Sequence, residues 1–203
     1  MKNSLKLSIL ILCVLLSSCQ KDPDTDKLDN NYMVLTNYDS NTDFSSINNF
    51  FVIDSILIIG DQSKASYWKN ANSQKIVDAY NDNLTACGYT QVSTGEEADV
   101  VLQLSYINNT YYFSNTTGPW WNSYPGYWSW GGWGWYYPFS FYYSYSTGSI
   151  IGELVNKNAP KGDKLTVIWN SYICGLLNGN NLSYSRTVSA INQAFTQSPY
   201  LKK

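Results

Sequence analysis

The sequence predicts an α+β fold: a largely antiparallel sheet with two helices packed on one face, plus a long aromatic Gly/Pro-rich insertion. Three observations predict it. Strand-like apolar runs gather in pairs near the start and in the second half of the chain. Two segments, one ending at Gly88 and one near the C terminus, carry apolar residues at helical spacing. Between them no charged side chain occurs from Val100 to Gly152.

Met33 to Tyr38 and Asn49 to Ile53 read as strands separated by the polar turn region Asp39 to Asn48. Between Tyr67 and Cys87, residues Ile76, Ala79, Tyr80, Leu84 and Cys87 fall on one helical stripe that leaves Asn72, Lys75, Asp78 and Asp82 outside, and Gly88 supplies the stop. Tyr89 to Val92 is a short strand. Asp99 to Ile107 is a longer one, in which Val100, Leu102, Leu104 and Tyr106 alternate with Gln103 and Ser105. Ser149 to Val155 and Lys164 to Cys174 form a hairpin around a turn from Asn156 to Asp163. A closing helix runs from Tyr184 to Gln197, with Val188, Ile191, Ala194 and Phe195 on its apolar stripe, Ser183 as N-cap and Ser198-Pro199 as its end.

Composition excludes several functions. With no His among 203 residues, imidazole-based triads and imidazole metal ligands are out. A formal charge of -2 argues against a nucleic-acid partner, which needs a basic surface to displace counterions. Glu96, Glu97 and Asp99 are the densest carboxylates. Neighbours around one turn do not straddle a glycosidic bond, so they read as a solvated start to a strand. No phosphate-loop or calcium-loop spacing occurs. The reading therefore assigns no catalytic residue, no metal and no cofactor. Asp54-Ser55-Ile56 resembles a short O-glycosylation triplet, a pattern that chance also produces.

Residues 1–18 read as a lipoprotein signal peptide: Lys2 and Lys6 precede the apolar run Leu7 to Leu16, which is too short to remain as a membrane span. Leu16-Ser17-Ser18-Cys19 resembles a lipobox, with Cys19 as the lipidated residue and 19–31 as a polar tether. Several acyl chains would hold the protein on a membrane, since each buried methylene contributes about 0.8 kcal/mol. The tether's start, Gln20-Lys21-Asp22-Pro23-Asp24, resembles the signals that send some Bacteroidota lipoproteins to the cell surface, although Pro23 stands where a further acid is usual. The expectation is an outer-membrane, lipid-anchored protein, facing the periplasm or displayed at the surface. Residues 32–203 form one α+β domain, with the insertion at 108–147. Cys87 and Cys174 remain in it, either as a disulfide or as small core hydrophobes.

From Tyr111 to Tyr145, 18 of 35 residues are aromatic, including Trp120, Trp121, Trp128, Trp130, Trp133 and Trp135. Such a stretch is too long for an ordinary connection. Four readings stay open. The rings pack on the sheet or on one another, with Ser140 to Ser146 extending a hairpin. They sit at a membrane interface. They bind an envelope glycan, with Asn108, Asn109, Asn115 and Asn122 as polar partners. They meet a protein partner.

The pieces resemble the Bacteroidota lipoprotein family classed as domain of unknown function 4136. The carrying features are Tyr38 to Ile47, Glu97-Ala98-Asp99, Gly148 to Val155, Leu165 to Gly175 and Ile191 to Leu201, in that order. Trp169 stands where such proteins usually have Trp-x-Gly or Trp-x-Ala, and here Asn170-Ser171 follows. The resemblance implies a lipid-anchored α+β domain without assigned catalytic residues. The functional expectation is a non-enzymatic envelope protein whose insertion contacts membrane, glycan or protein. The alternative is a purely structural domain whose insertion is packed.

Overall fold

A computed structural model of the chain describes residues 32–60, 64–107, 111–115, 134–139, 141–145, 148–174 and 184–203, with the backbone alone for 111–115 and 141–145. In chain order the elements are β1 (Met33–Tyr38), β2 (Asn49–Ile59), β3 (Ser66–Trp68), α1 (Ala71–Ala86), β4 (Thr90–Gln91), β5 (Val100–Ile107), β6 (Tyr111–Asn115), β7 (Gly134–Tyr136), β8 (Phe141–Tyr145), β9 (Ser149–Lys161), β10 (Lys164–Cys174) and α2 (Tyr184–Thr196). Single 3-10 turns lie at Phe44–Ser46 and Pro199–Leu201.

The main sheet has eight strands in the order β1-β10-β9-β5-β2-β3, with β4 also beside β2 and β7 also beside β10. Neighbours run antiparallel except at β2–β5, β2–β4 and β10–β7. The sheet is therefore mostly antiparallel, as expected, with three parallel pairings that make it mixed. The reason is α1: a helix between two neighbouring strands lets the chain cross over and return in the same direction, as a tight turn cannot.

Helix α1 starts where Asn70 Oδ1 accepts from the amides of Asn72 (2.9 Å) and Ser73 (3.1 Å) while Ser73 Oγ accepts from Asn70 N (2.8 Å). This reciprocal cap satisfies donors that a helix leaves orphaned. It ends just before Gly88, whose φ of +97° only glycine adopts freely. Strand β2 runs on to Ile59, past the expected Ile53, because a register shift between Val52 and Ile56 restarts the ladder to β5. Strand β9 likewise runs through Asn156 to Lys161, so the hairpin turn is only Gly162-Asp163, with Gly162 at φ +64°. Glycine at the first central position is what a type II′ turn uses. Beyond Asn156, β9 has left its ladder with β5, and Pro160 is exposed there, where a missing N–H is tolerated.

The sheet buries both faces. On one, Ile76, Tyr80 and Leu84 of α1 and Ile191, Ala194 and Phe195 of α2 pack with Phe50, Val52, Leu102, Leu104, Ile150, Leu154 and Trp169. On the other, Leu57, Ile59, Ile107, Ile151, Val155, Leu165, Val167 and Tyr172 pack with Trp135, which belongs to the insertion. The helices thus share one face, and the end of the insertion lies on the opposite one.

Candidate functional site

Much of what the sequence singled out lies outside the described residues: Cys19 and its tether, Trp120, Trp121, Trp128, Trp130, Trp133, Asn108, Asn109, Asn122 and Ser183. At Asn115 the backbone alone is described, in β6, which pairs antiparallel with β8 from Tyr111↔Tyr145 to Asn115↔Phe141. Of the Tyr-Ser alternation, Phe141–Tyr145 forms one strand of that ribbon, and Ser140 and Ser146 lie outside the described residues.

Cys87 and Cys174 are free thiols, and the disulfide alternative fails on geometry. Cys87 belongs to the cluster beneath the helices, whereas Cys174 packs with the cluster on the opposite face. Burial pushes both thiols up from their ordinary pKa.

The motif residues hold the helical face together. Trp169 Nε1 donates to Ser198 Oγ (3.0 Å), which also accepts from the Tyr200 hydroxyl (3.1 Å), and Tyr200 stacks on Tyr38 at 3.7 Å between centroids. The hydroxyls of Tyr80 and Ser171 share a hydrogen bond of 2.8 Å in the core. Ser171 occupies the small-residue position two after Trp169. A small side chain suits it, because the ring of Tyr80 lies against Ser171 and Gly152.

The acidic turn is structural. Asp99 Oδ2 accepts from the amides of Asn48 and Asn49, each at 2.9 Å, and Oδ1 accepts from Asn158 Nδ2 (3.1 Å). Partial burial works to raise its pKa, but the Asn49 and Asn48 amides, Asn158 and the charge of Lys157 together hold the carboxyl below its ordinary range. Glu96 and Glu97 are exposed, and Lys157 Nζ caps the turn by donating to the carbonyls of Gly95 (2.5 Å) and Glu96 (2.8 Å). In the Asp54-Ser55-Ile56 triplet, Asp54 pairs with Lys69 at 2.7 Å in solvent and Ile56 is buried. Among the described residues no group of three or more His, Cys, Asp or Glu is placed to hold a metal ion, and no helix is long and apolar enough to cross a membrane. A shallow groove of about 530 Å³ lies along α1 and α2, lined by Lys75, Asp78, Asp82, Asn83 and Asn192. Its groups serve each other: Asn83 Nδ2 donates to Asn192 Oδ1 (2.7 Å), and Lys75 sits 5.3 Å from the centre of the Tyr184 ring.

The feature with unspent chemistry is the face under the insertion. Residues Asn37, Asn170, Glu153 and Gln103 follow one another across β1, β10, β9 and β5 in direct register, a polar row through an apolar face. Asn37 Nδ2 donates to Asn170 Oδ1 (3.0 Å). Glu153 is 0 % exposed and accepts from the Tyr137 hydroxyl at 2.5 Å. Gln103, 4 % exposed, has no hydrogen-bond partner for Nε2, and neither does Ser105 Oγ two residues further along β5. Above them lies a strap, Gly134 to Phe139. Strand β7 pairs parallel with Lys164–Thr166 of β10, Trp135 is 5 % exposed, and Tyr137 and Phe139 are half-buried. A small cavity of about 10 Å³ remains beneath the strap, lined by Ile53, Val101, Gln103, Trp135, Val155, Lys157 and Leu165. That is room for one water-sized group.

The Trp135 indole and the Tyr137 bond offset much of the cost of ordering the strap. Burying an indole of 150–250 Å² contributes about 4–6 kcal/mol, and the bond to Glu153 about 1–3 kcal/mol. Ordering six backbone residues costs about 6–12 kcal/mol. These terms cancel to within a few kcal/mol. Of the expected contact tryptophans, Trp135 is thus seated in the core, while Glu153, Gln103, Asn37 and Asn170 were missed. The available signal was a lone carboxylate in the apolar run Ile150-Ile151-Gly152-Glu153-Leu154-Val155.

Fold and site together define a two-faced α+β domain, helices on one side of a mixed sheet and an insertion strap on the other, with no catalytic feature evident among the described residues. The chain belongs to the family described as Domain of unknown function (DUF4136), which it matches over residues 34–200. Among solved structures it is similar to a DUF4136 family protein from Bacteroides thetaiotaomicron, with 44 % identity, 86 % of this chain and 99 % of that chain covered, and a TM-score of 0.76. More distant likenesses are to the PelC dodecamer from Paraburkholderia phytofirmans (12 % identity, 85 % and 99 % covered, TM-score 0.41) and to a PDZ domain protein from Parabacteroides distasonis (12 % identity, 85 % and 37 % covered, TM-score 0.40). No curated protein matches the chain.

Proposed function

We propose that the chain is a non-enzymatic, lipid-anchored protein of the cell envelope, tethered through Cys19 at the outer membrane, that uses its aromatic insertion to contact an envelope component. The observation that carries this reading is that the insertion's outer segments pair with each other and its later limb is seated on the main sheet. Its outer segments pair as the β6–β8 ribbon, and Trp135 is seated on the sheet. A stretch from 116 to 133 that holds five tryptophans therefore starts and ends on ordered structure. Membership of a family of unknown function is compatible with such a role.

A second reading, that the insertion is packed and binds nothing, is favoured by the burial of Trp135 itself. One variant separates the two: replacement of 116–133 by a short Gly/Ser bridge, which leaves both limbs intact. Unchanged melting with lost binding to liposomes or envelope polysaccharide supports the contact role. A collapse of stability supports the packed one. For the anchor, Cys19→Ala should move the protein out of the membrane fraction, and retention there without acylation would refute it.

A further inference from the structure

We propose that the sheet face beneath the Gly134–Phe139 strap is a slot for a neutral saccharide, and that the strap occupies it when no sugar is bound. The slot's chemistry is set by Glu153 and Gln103, which face each other in the β5–β9 register, with Ser105 two residues further along β5. Glu153 accepts a hydroxyl hydrogen, now from Tyr137. Gln103 Nε2 offers a donor that the strap leaves unused, and Ser105 Oγ is likewise unpartnered. Both of these side chains are nine-tenths or more buried on the same face of β5. A buried donor without a partner is uncommon in a finished core and marks a place where a polar ligand group fits.

A ligand that satisfies this set must donate to a carboxylate and accept from an amide and a hydroxyl over a short span. Neighbouring hydroxyls of a sugar ring do both, because each donates and accepts. The flanking walls, Val101, Val155 and Leu165, are apolar, as the C–H face of a pyranose requires. The strap copies that ligand: the Trp135 indole holds the place of one ring, and the Tyr137 phenol that of one hydroxyl. What it does not copy is a partner for Gln103. A sugar supplies that partner, so it competes with the strap for the same face.

This goes beyond contact through 116–133, since the slot is set by groups on β5, β9 and the strap, and the chain bridged across 116–133 should bind these short sugars as the parent does. The test uses the detergent-solubilised full chain with maltohexaose and chitohexaose as probes, reading affinity by calorimetry and amide hydrogen exchange at Gly134–Tyr136 and Lys164–Thr166. At least one probe should bind and speed exchange at both segments about tenfold, because the strap leaves the edge of β10. Tyr137→Phe, which removes the strap's hydroxyl from Glu153, should bind about tenfold tighter, and Gln103→Leu at least tenfold weaker with its near-UV spectrum retained. The proposal is overturned if neither sugar binds the parent or Tyr137→Phe, if binding leaves strap exchange unchanged, or if Gln103→Leu binds as the parent does. Displacement of the strap by an extended peptide but by neither sugar also overturns it. The exchange measurement on the parent decides the matter even if a variant fails to fold.

Discussion

Gly152→Ala puts the packing of the helical face to a direct test. An alanine Cβ at 152 would lie 2.9 Å from Ser171 Oγ and 2.9 Å from both Cε1 and the hydroxyl of Tyr80, closer than a real Cβ approaches a heavy atom. None of these atoms can retreat into solvent: Tyr80 and Ser171 are both 0 % exposed, and Tyr80 is wedged against Phe195 with ring centres 5.9 Å apart. Overpacking of this kind costs about 1–3 kcal/mol. If the ring shifts enough to break the 2.8 Å bond between Tyr80 and Ser171, two buried hydroxyls lose each other at about 1–3 kcal/mol more. The sum is about 2–6 kcal/mol, or roughly 4–24 °C in melting temperature for a domain of this size. Urea unfolding of the parent, Gly152→Ala, Tyr80→Phe and the double variant forms a cycle whose coupling should exceed about 1 kcal/mol, since both changes act on the same contact. A Gly152→Ala chain within 0.5 kcal/mol of its parent, or purely additive effects, would refute the claim that glycine is needed here for close approach.

Asp99 contributes stability through a lowered folded pKa, so that contribution is present above the ordinary carboxyl value of 3.8 and disappears as the pH falls through the folded value. Stability curves of the parent and Asp99→Asn should differ by about 1–2 kcal/mol at pH 7 and draw together as the pH falls through the folded value. At the alkaline end, burial raises the phenols of Tyr80 and Tyr89 well above 10, so stability falls as the pH climbs beyond 10, where only the unfolded chain releases those protons. Ultraviolet titration should show at least two tyrosines that ionise only on unfolding, and Tyr80→Phe should remove one of them. Thiol counting should give one group for Cys87 and one for Cys174 with and without reductant, Cys87 reacting only after denaturation. Asn70→Ala should lower stability by about 1 kcal/mol through loss of the helix cap, measurable as a shift in the urea midpoint without change in slope.

Secondary structure was legible wherever one face of an element met water. The stripe of α1, its stop at Gly88 and the stripe of α2 follow from period alone, because their outer sides are polar. The strand bounds were less legible for a physical reason. In β9 the buried half, Ser149 to Val155, reads as strand, but Asn156 to Lys161 pairs with β10 while exposed to solvent, so composition there resembles a turn. The direction of β5 relative to β2 was also hidden, since period does not encode which neighbour a strand chooses. For the site, the sequence located the aromatic excess but not its counterpart. Glu153 and Gln103 sit in different strands, 50 residues apart in the chain, and become neighbours only through the β5–β9 register.

That register also accounts for the length of the insertion. Strands β5 and β9 are antiparallel neighbours joined where Ile107 faces Ser149, a place that a two-residue turn would close. Trp135 instead sits beside Leu165, near the opposite end of the sheet, where Val101 and Val155 lie. From Ile107 back to the level of Val101 is six residues of strand, or about 20 Å, and the chain must cover that distance out and back. A connection of ordinary length cannot reach. If it did not, Val101, Val155, Leu165 and Val167 would form an apolar patch around an uncovered Glu153, on a face the helices do not serve. The insertion is therefore long first because its strap must lie at the far end of the face it protects. Only the residues in excess of that reach, with their tryptophans, remain for the envelope contact we propose.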